Sequence, residues 1–183
     1  MGIKKSFHTP VGWLLVEIEN GCISRIDFQE EPLVNEEEHF LFSKCEEQLR
    51  SYFNGELKEF DLPIRISGTP FQISVWEELK KIPFGTTVSY QTISKRIGNE
   101  KAVRAVGQAI GKNPIAIVIP CHRVIGKNKA LTGFAGGLNR KRKLLRQENY
   151  ELFPLNSNQI ILGAIKANNG ETFKFPLAIP FVK

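Results

Sequence analysis

Residues 89–110 read Ser89-Tyr90-Gln91-Thr92-Ile93-Ser94-Lys95-Arg96-Ile97-Gly98-Asn99-Glu100-Lys101-Ala102-Val103-Arg104-Ala105-Val106-Gly107-Gln108-Ala109-Ile110. The pattern predicts a helix over Ser89–Ile97, a tight turn at Gly98-Asn99-Glu100 and a second helix over Lys101–Ile110, the helix-turn-helix arrangement. The second helix carries small residues, Ala102, Ala105, Gly107 and Ala109, around Arg104. Small side chains let a helix backbone approach a narrow groove, and they equally permit close helix–helix packing.

Charge favours the first use. Residues 89–148 hold 13 Lys/Arg against 2 Asp/Glu, a net of +11, whereas residues 1–88 carry a net of −6. Solvated faces mix both signs, so a one-sided field points to a polyanionic partner. Charge alone does not distinguish nucleic acid from an anionic membrane surface.

Downstream, Ile115-Ala116-Ile117-Val118-Ile119 is apolar and β-branched and ends at Pro120-Cys121-His122-Arg123. It predicts a short buried strand that delivers a thiol at its end, beside an imidazole. A Cys-His neighbourhood can yield the thiolate, the nucleophilic form. Adjacent residues in extended backbone point to opposite faces, so contact requires a turn after Pro120 or an intervening water. A base needs an orienting carboxylate, and between Ser89 and Glu148 the only acids are Glu100 and Glu148. Next, Leu131-Thr132-Gly133-Phe134-Ala135-Gly136-Gly137 forms a Gly-rich loop without the Gly-Lys-Ser/Thr ending of a phosphate loop, followed by a helix over Leu138–Glu148. Its basic run Arg140-Lys141-Arg142-Lys143 suits a solvated face.

Upstream, residues 3–7, 12–19 and 22–28 predict antiparallel strands, the last two joined by an Asn20-Gly21 turn. Asn35 to Phe53 predicts a helix with an Asn35…Glu38 cap and an Asn54-Gly55 stop. After a connection at Leu62–Gly68, Thr69-Pro70 opens another helix with Phe71, Val75, Leu79 and Ile82 on one face. The expected parts are 1–66, 67–150 and a C-terminal extension over 151–183. With 42% hydrophobic residues among 183, the chain can bury a real core. No apolar run approaches the ~20 residues of a membrane span, and the N-terminus lacks a secretory pattern. Three cysteines without close pairs suggest a reducing compartment, and Cys22, Cys45, His8 and His39 lack zinc-site spacing.

Taken together these elements resemble the O6-alkylguanine-DNA alkyltransferases. The resemblance runs through Phe71-Gln72, Val75-Trp76, Ile82-Pro83-Phe84-Gly85-Thr86, Ser89-Tyr90, Arg104-Ala105-Val106-Gly107, Asn113-Pro114, Pro120 to Ile125, Gly136-Gly137-Leu138 and Leu144-Leu145…Glu148. Gln48 to Gly55 and Phe60…Leu62-Pro63 match the family's first domain less specifically.

The resemblance implies an α+β chain: an N-terminal antiparallel sheet plus helix, ribonuclease H-like, then a winged-helix-like helix-turn-helix catalytic domain. It implies irreversible, stoichiometric alkyl transfer from O6-alkylguanine in double-stranded DNA, with O4-alkylthymine a second candidate, to Cys121. His122 and Glu148 would relay the thiol proton through water, Asn113 would brace the cysteine's turn, and Tyr90 would protonate the leaving guanine. Arg104 would fill the stack after base flipping, with Tyr90, Lys101, Ala102, Ala105 and Arg123 also on the DNA. Phe134, Ala135 and Gly136 would line the pocket; Phe134 and Ala135 stand where some relatives carry Tyr and Ser. No cofactor, metal or membrane is expected, and the protein would act as a cytoplasmic monomer, or a nuclear one in a eukaryote. The alternative is a non-catalytic alkylated-DNA binding module on the same fold, whose members carry tryptophan at the cysteine position.

Overall fold

A computed structural model describes residues 2–34 and 37–150. The expected extension over 151–183 lies outside the described residues.

Three strands, β1 (Ile3–Thr9), β2 (Gly12–Glu19) and β3 (Cys22–Gln29), form an antiparallel sheet in the order β1-β2-β3. Asn20 and Gly21 close the β2–β3 hairpin with φ of 51° and 72°. Two successive left-handed residues give the turn whose twist matches the strands, and the Asn-Gly pair adopts them at little cost. Helix α1 (Phe40–Phe53) packs on the sheet through Leu41, Phe42, Cys45, Leu49 and Tyr52.

Helix α1 begins later than the sequence pattern suggests. His39 caps it, its Nδ1 accepting from the Leu41 N–H at 3.2 Å. Glu37 and Glu38, expected inside the helix, instead bond across to β1: the Lys4 N–H donates to Glu37 and Lys5 Nζ to Glu38. The expected cap, Asn35, lies outside the described residues.

The second part is helical. Helix α2 (Pro70–Lys80) starts with the full capping box, Thr69 and Gln72 bonding reciprocally, and Pro70 in the first turn. It buries Val75, Trp76 and Leu79, and Trp76 Nε1 donates to the Ala109 carbonyl at 2.8 Å. Helix α3 (Tyr90–Arg96) is capped by Ser89, and α4 (Val103–Gly111) buries Val106, Ala109 and Ile110. Lys101 and Ala102, expected inside the second helix, precede it: the Ala102 N–H closes a turn onto Asn99 O at 3.0 Å, and Ala102 is the N-cap residue, with no side-chain cap bond. Two short strands, β4 (Val88–Ser89) and β5 (Val124–Ile125), pair in parallel, and α5 (Leu138–Gln147) follows the Gly-rich loop.

The expected strand over 115–119 is a turn instead. Ile115 and Ala116 bridge β3, with the Ile26 N–H on Pro114 O and the Ala116 N–H on Ile26 O, both at 2.9 Å. The chain then reverses: the Ile119 N–H returns to Ile115 O at 3.0 Å, and Ile117 has φ 71°. A β-branched residue is strained there. Ile115, Ala116, Ile117 and Ile119 are buried as expected and Val118 partly so, but the backbone does not continue as a ladder.

One apolar cluster joins both parts, from Phe7 and Leu14 through Tyr52 and Trp76 to Val124 and Leu144. Among the described residues, no helix is long and apolar enough to cross a membrane.

Candidate active site around Cys121

The 115–119 turn delivers Cys121 into a one-turn 3-10 helix, Cys121–Arg123. Asn113 fastens it from within: its Nδ2 donates to Ile119 O at 2.8 Å, and its Oδ1 accepts from the Ile115 N–H at 3.1 Å. The strained Ile117 backbone is thus held by a side chain four residues earlier and by the β3 edge.

Cys121 is buried, 7% exposed. Burial pushes its thiol up, while the Asn113 side chain, the Lys141 charge and nearby backbone N–H groups pull it down. Burial prevails, so the thiol stays protonated at neutral pH and needs a proton acceptor.

His122 follows Cys121 in the 3-10 turn. Fully buried, its ring Nε2 sits 2.8 Å from Glu148 Oε1. Desolvation lowers its proton affinity more than Glu148 raises it. A neutral ring facing an ionised carboxylate carries its proton on Nε2, a tautomer assigned from the network. That leaves Nδ1 as a lone pair, and Nδ1 is a buried polar atom without a protein partner. Buried ring nitrogens rarely stay unsatisfied.

Glu148 is the hub. It caps the C-terminus of α5, where the helix dipole disfavours negative charge. Burial also pushes its carboxyl up, but bonds and charges from His122 and Arg123 outweigh this and hold it at about 2. The His122 hydrogen bond is the larger of these lowering contacts, with Arg123 next. Arg123 Nε and Nη2 each reach Glu148 at 2.9 Å, and Nη1 donates to Ile82 O at 2.5 Å. Oε2 also accepts the Gly85 N–H at 3.1 Å. Gly85 has φ 72°, and a Cβ there would lie 2.9 Å from the Glu148 carbonyl oxygen. The Ile82-Pro83-Phe84-Gly85 turn thus serves the carboxylate.

Arg123 must therefore be removed from the DNA-facing residues. It is 6% exposed and its guanidinium is used up inside the protein. The basic run on α5 is likewise not one solvated face. Lys141 is fully buried, its Nζ donating to Val124 O at 2.6 Å and Thr132 O at 2.9 Å. Desolvation brings its amine down to about 8. Arg140 turns back onto Val11 O, Gln29 O and Glu30. Helical spacing could have flagged Lys141, since Lys141, Leu144, Leu145 and Glu148 lie on one face.

The remaining site residues surround the loop over 131–137. The Tyr90 hydroxyl donates to Thr132 O at 3.0 Å, and burial raises its proton affinity so that it stays a donor. Phe134 packs edge-on against Phe28 at 5.6 Å between centroids. Gly136 abuts Phe28 so closely that a Cβ would come within 2.5 Å of its ring. Ala135 is exposed. On α4, Arg104 and Ala105 are exposed, as is Lys101 just before it, while Gly107 faces the Tyr90 ring. No group of three or more His, Cys, Asp or Glu suited to a metal ion occurs among the described residues.

Residues 70–150 match the family model for the DNA binding domain of 6-O-methylguanine DNA methyltransferase. Residues 3–66 match that for its ribonuclease-like domain. A methylated-DNA–protein-cysteine methyltransferase of Haemophilus influenzae is 43% identical over 149 residues, 78% of this chain and 83% of the relative. One of Methanosarcina acetivorans is 46% identical over 148 residues, 78% of this chain and 95% of the relative. The Mycobacterium tuberculosis OGT solved in complex with DNA superposes with a TM-score of 0.74 at 43% identity, covering 79% of this chain and 91% of that one.

Proposed function

The chain belongs to the 6-O-methylguanine DNA methyltransferase family, and from that premise we propose that it repairs DNA by direct reversal, taking the alkyl group of O6-alkylguanine onto Cys121. The observation that carries this is the buried chain of groups behind the thiol: His122 with Nε2 on Glu148 and Nδ1 open.

The alkyl carbon lies inside the duplex, so the guanine must be flipped out, at a cost of a few kcal/mol. Arg104, exposed on α4 beside Ala105, fills the gap in the stack. Lys101 and Ala102, just before the helix, lie against the DNA with it. A helix with small residues at its surface suits the minor groove rather than the usual major-groove docking. Phe134, Ala135 and Gly136 border the flipped base, and O4-alkylthymine is a further substrate candidate.

The Cys121 thiol proton passes through a water to His122 Nδ1. Sγ attacks the alkyl carbon, the S–C bond forms as the C–O6 bond breaks, and the guanine takes up a proton from Tyr90, which regains one from solvent when His122 later releases the thiol's proton. The imidazolium left on His122 is balanced by Glu148. A thioether has no carbonyl for water to attack, so each molecule acts once, and no step needs a metal or cofactor.

We place the division between the two parts at residues 66–67, and take the protein to act as a monomer in the cytoplasm. A duplex carrying one O6-methylguanine, digested to nucleosides after incubation, tests the activity. Restored guanine with wild type and none with Cys121→Ala is expected. Tight binding without restored guanine would favour a non-catalytic binding module.

A further inference from the structure

Glu148 receives one more hydrogen bond, and it comes from the N-terminal part of the chain. The Tyr52 hydroxyl, on the last turn of α1, donates to Glu148 Oε1 at 2.8 Å. This is the same oxygen that meets His122 Nε2. Tyr52 is fully buried among the rings of Phe53, Phe60 and Phe84. Gln147 Nε2 donates to the Tyr52 carbonyl at 3.2 Å, so the end of α1 is tied to α5 on both sides of the contact.

We infer that Tyr52 is a positioning residue of the proton relay: its hydroxyl fixes the Glu148 carboxylate and shares its charge, so that His122 stays neutral with Nδ1 free. The role rests on the transferase function proposed above. Two features support it. A phenol in this position can only donate, because burial and the facing carboxylate raise its proton affinity far beyond the ordinary value. Glu148 is also surrounded by donors: Tyr52 from α1, His122 and Arg123 from the 3-10 turn, and Gly85 N–H from the preceding loop. The other charged group near the relay is Lys141 of α5, which acts on His122 and Cys121. A carboxylate that loses one donor concentrates its charge on the rest, which here favours the imidazolium. A protonated His122 has no lone pair for the thiol's proton.

The sheet-bearing part therefore contributes to the chemistry, not only to the core. Tyr52→Phe keeps the ring and removes the bond. Methyl transfer from O6-methylguanine duplex should slow about tenfold, and the acid limb of its pH–rate profile should move to higher pH. Site-specific 3,5-difluorotyrosine at position 52 keeps the hydroxyl and makes it a stronger donor, so the limb should move to lower pH. Opposite displacements are a signature that loss of packing does not produce. If Tyr52→Phe fails to fold, the difluorotyrosine protein decides alone. Profiles that coincide with wild type, or both variants slowed with the limb unmoved, overturn the role while leaving the transferase function intact. A wild-type protein that transfers no methyl overturns that function first.

Discussion

His122 Nε2 lies 2.8 Å from Glu148 Oε1, while the other ring nitrogen, Nδ1, is buried without a protein partner. The two nitrogens thus have separate tasks. One is occupied by an anchored carboxylate, and the other remains available to accept a proton.

If that division of labour drives the chemistry, His122→Ala and Glu148→Gln should each slow alkylation by about 10²–10⁴-fold with duplex affinity nearly unchanged. The double variant should be little slower than the worse single one, because groups acting as a unit lose function together. Single-turnover rates with saturating duplex make the comparison. Wild-type rates in a folded Glu148→Gln protein would rule the relay out.

Arg123 supports Glu148 rather than the DNA, so Arg123→Ala should cost stability. Removing one partner of a buried ion pair typically costs about 3–5 kcal/mol. The sign of the pH effect follows from the depressed Glu148 carboxyl, about 2 against 4.5. Its stabilisation, on the order of 3 kcal/mol, is fully present above pH 4.5 and fades as pH falls through about 2. Urea melts across that range should show wild type losing stability toward low pH, and Arg123→Ala losing less because it starts without the pair. Unchanged duplex affinity per folded molecule would accompany this.

Some of this was legible in the chain and some was not, for physical reasons. The Asn20-Gly21 hairpin and the Thr69-Pro70 helix start are local devices, and both form as expected. The run over 115–119 has strand composition, yet Asn113 and the edge of β3 bend it into a turn that composition does not encode. Helix α1 starts at Phe40 because Glu37 and Glu38 bond to β1, a tertiary preference over a local cap. Arg123 and Lys141 looked like surface charge because their partners are remote in sequence or are backbone carbonyls. Tyr52 was visible only as part of a motif, since its partner is 96 residues away. Cys121 and His122 stood out in the Pro120-Cys121-His122-Arg123 run, the scarcity of acids between residues 89 and 148 left Glu100 and Glu148 as orienting carboxylates, and the family resemblance chose Glu148.

Burial of Arg123 and Lys141 and the inward turn of Arg140 thin the basic field, but Lys95, Arg96, Lys101, Arg104, Lys112, Lys127 and Lys129 remain exposed. Duplex affinity should therefore still fall steeply with salt, each neutralised phosphate adding about 0.9 to the slope of log K against log salt. Arg104→Ala should impair repair of alkylated duplex far more than reaction with free O6-benzylguanine. Equal losses on both substrates would mean that Arg104 shapes the pocket or the fold instead of filling the stack.

In this mechanism the alkyl group ends on Cys121 and stays there. Intact-protein and peptide mass spectrometry after incubation with excess O6-methylguanine duplex tests this most directly. One methyl in place of one proton, confined to the peptide containing Cys121 and matched by an equal amount of restored guanine, is the expected result. Restored guanine in molar excess over protein, or a methyl found on any other residue, would contradict it.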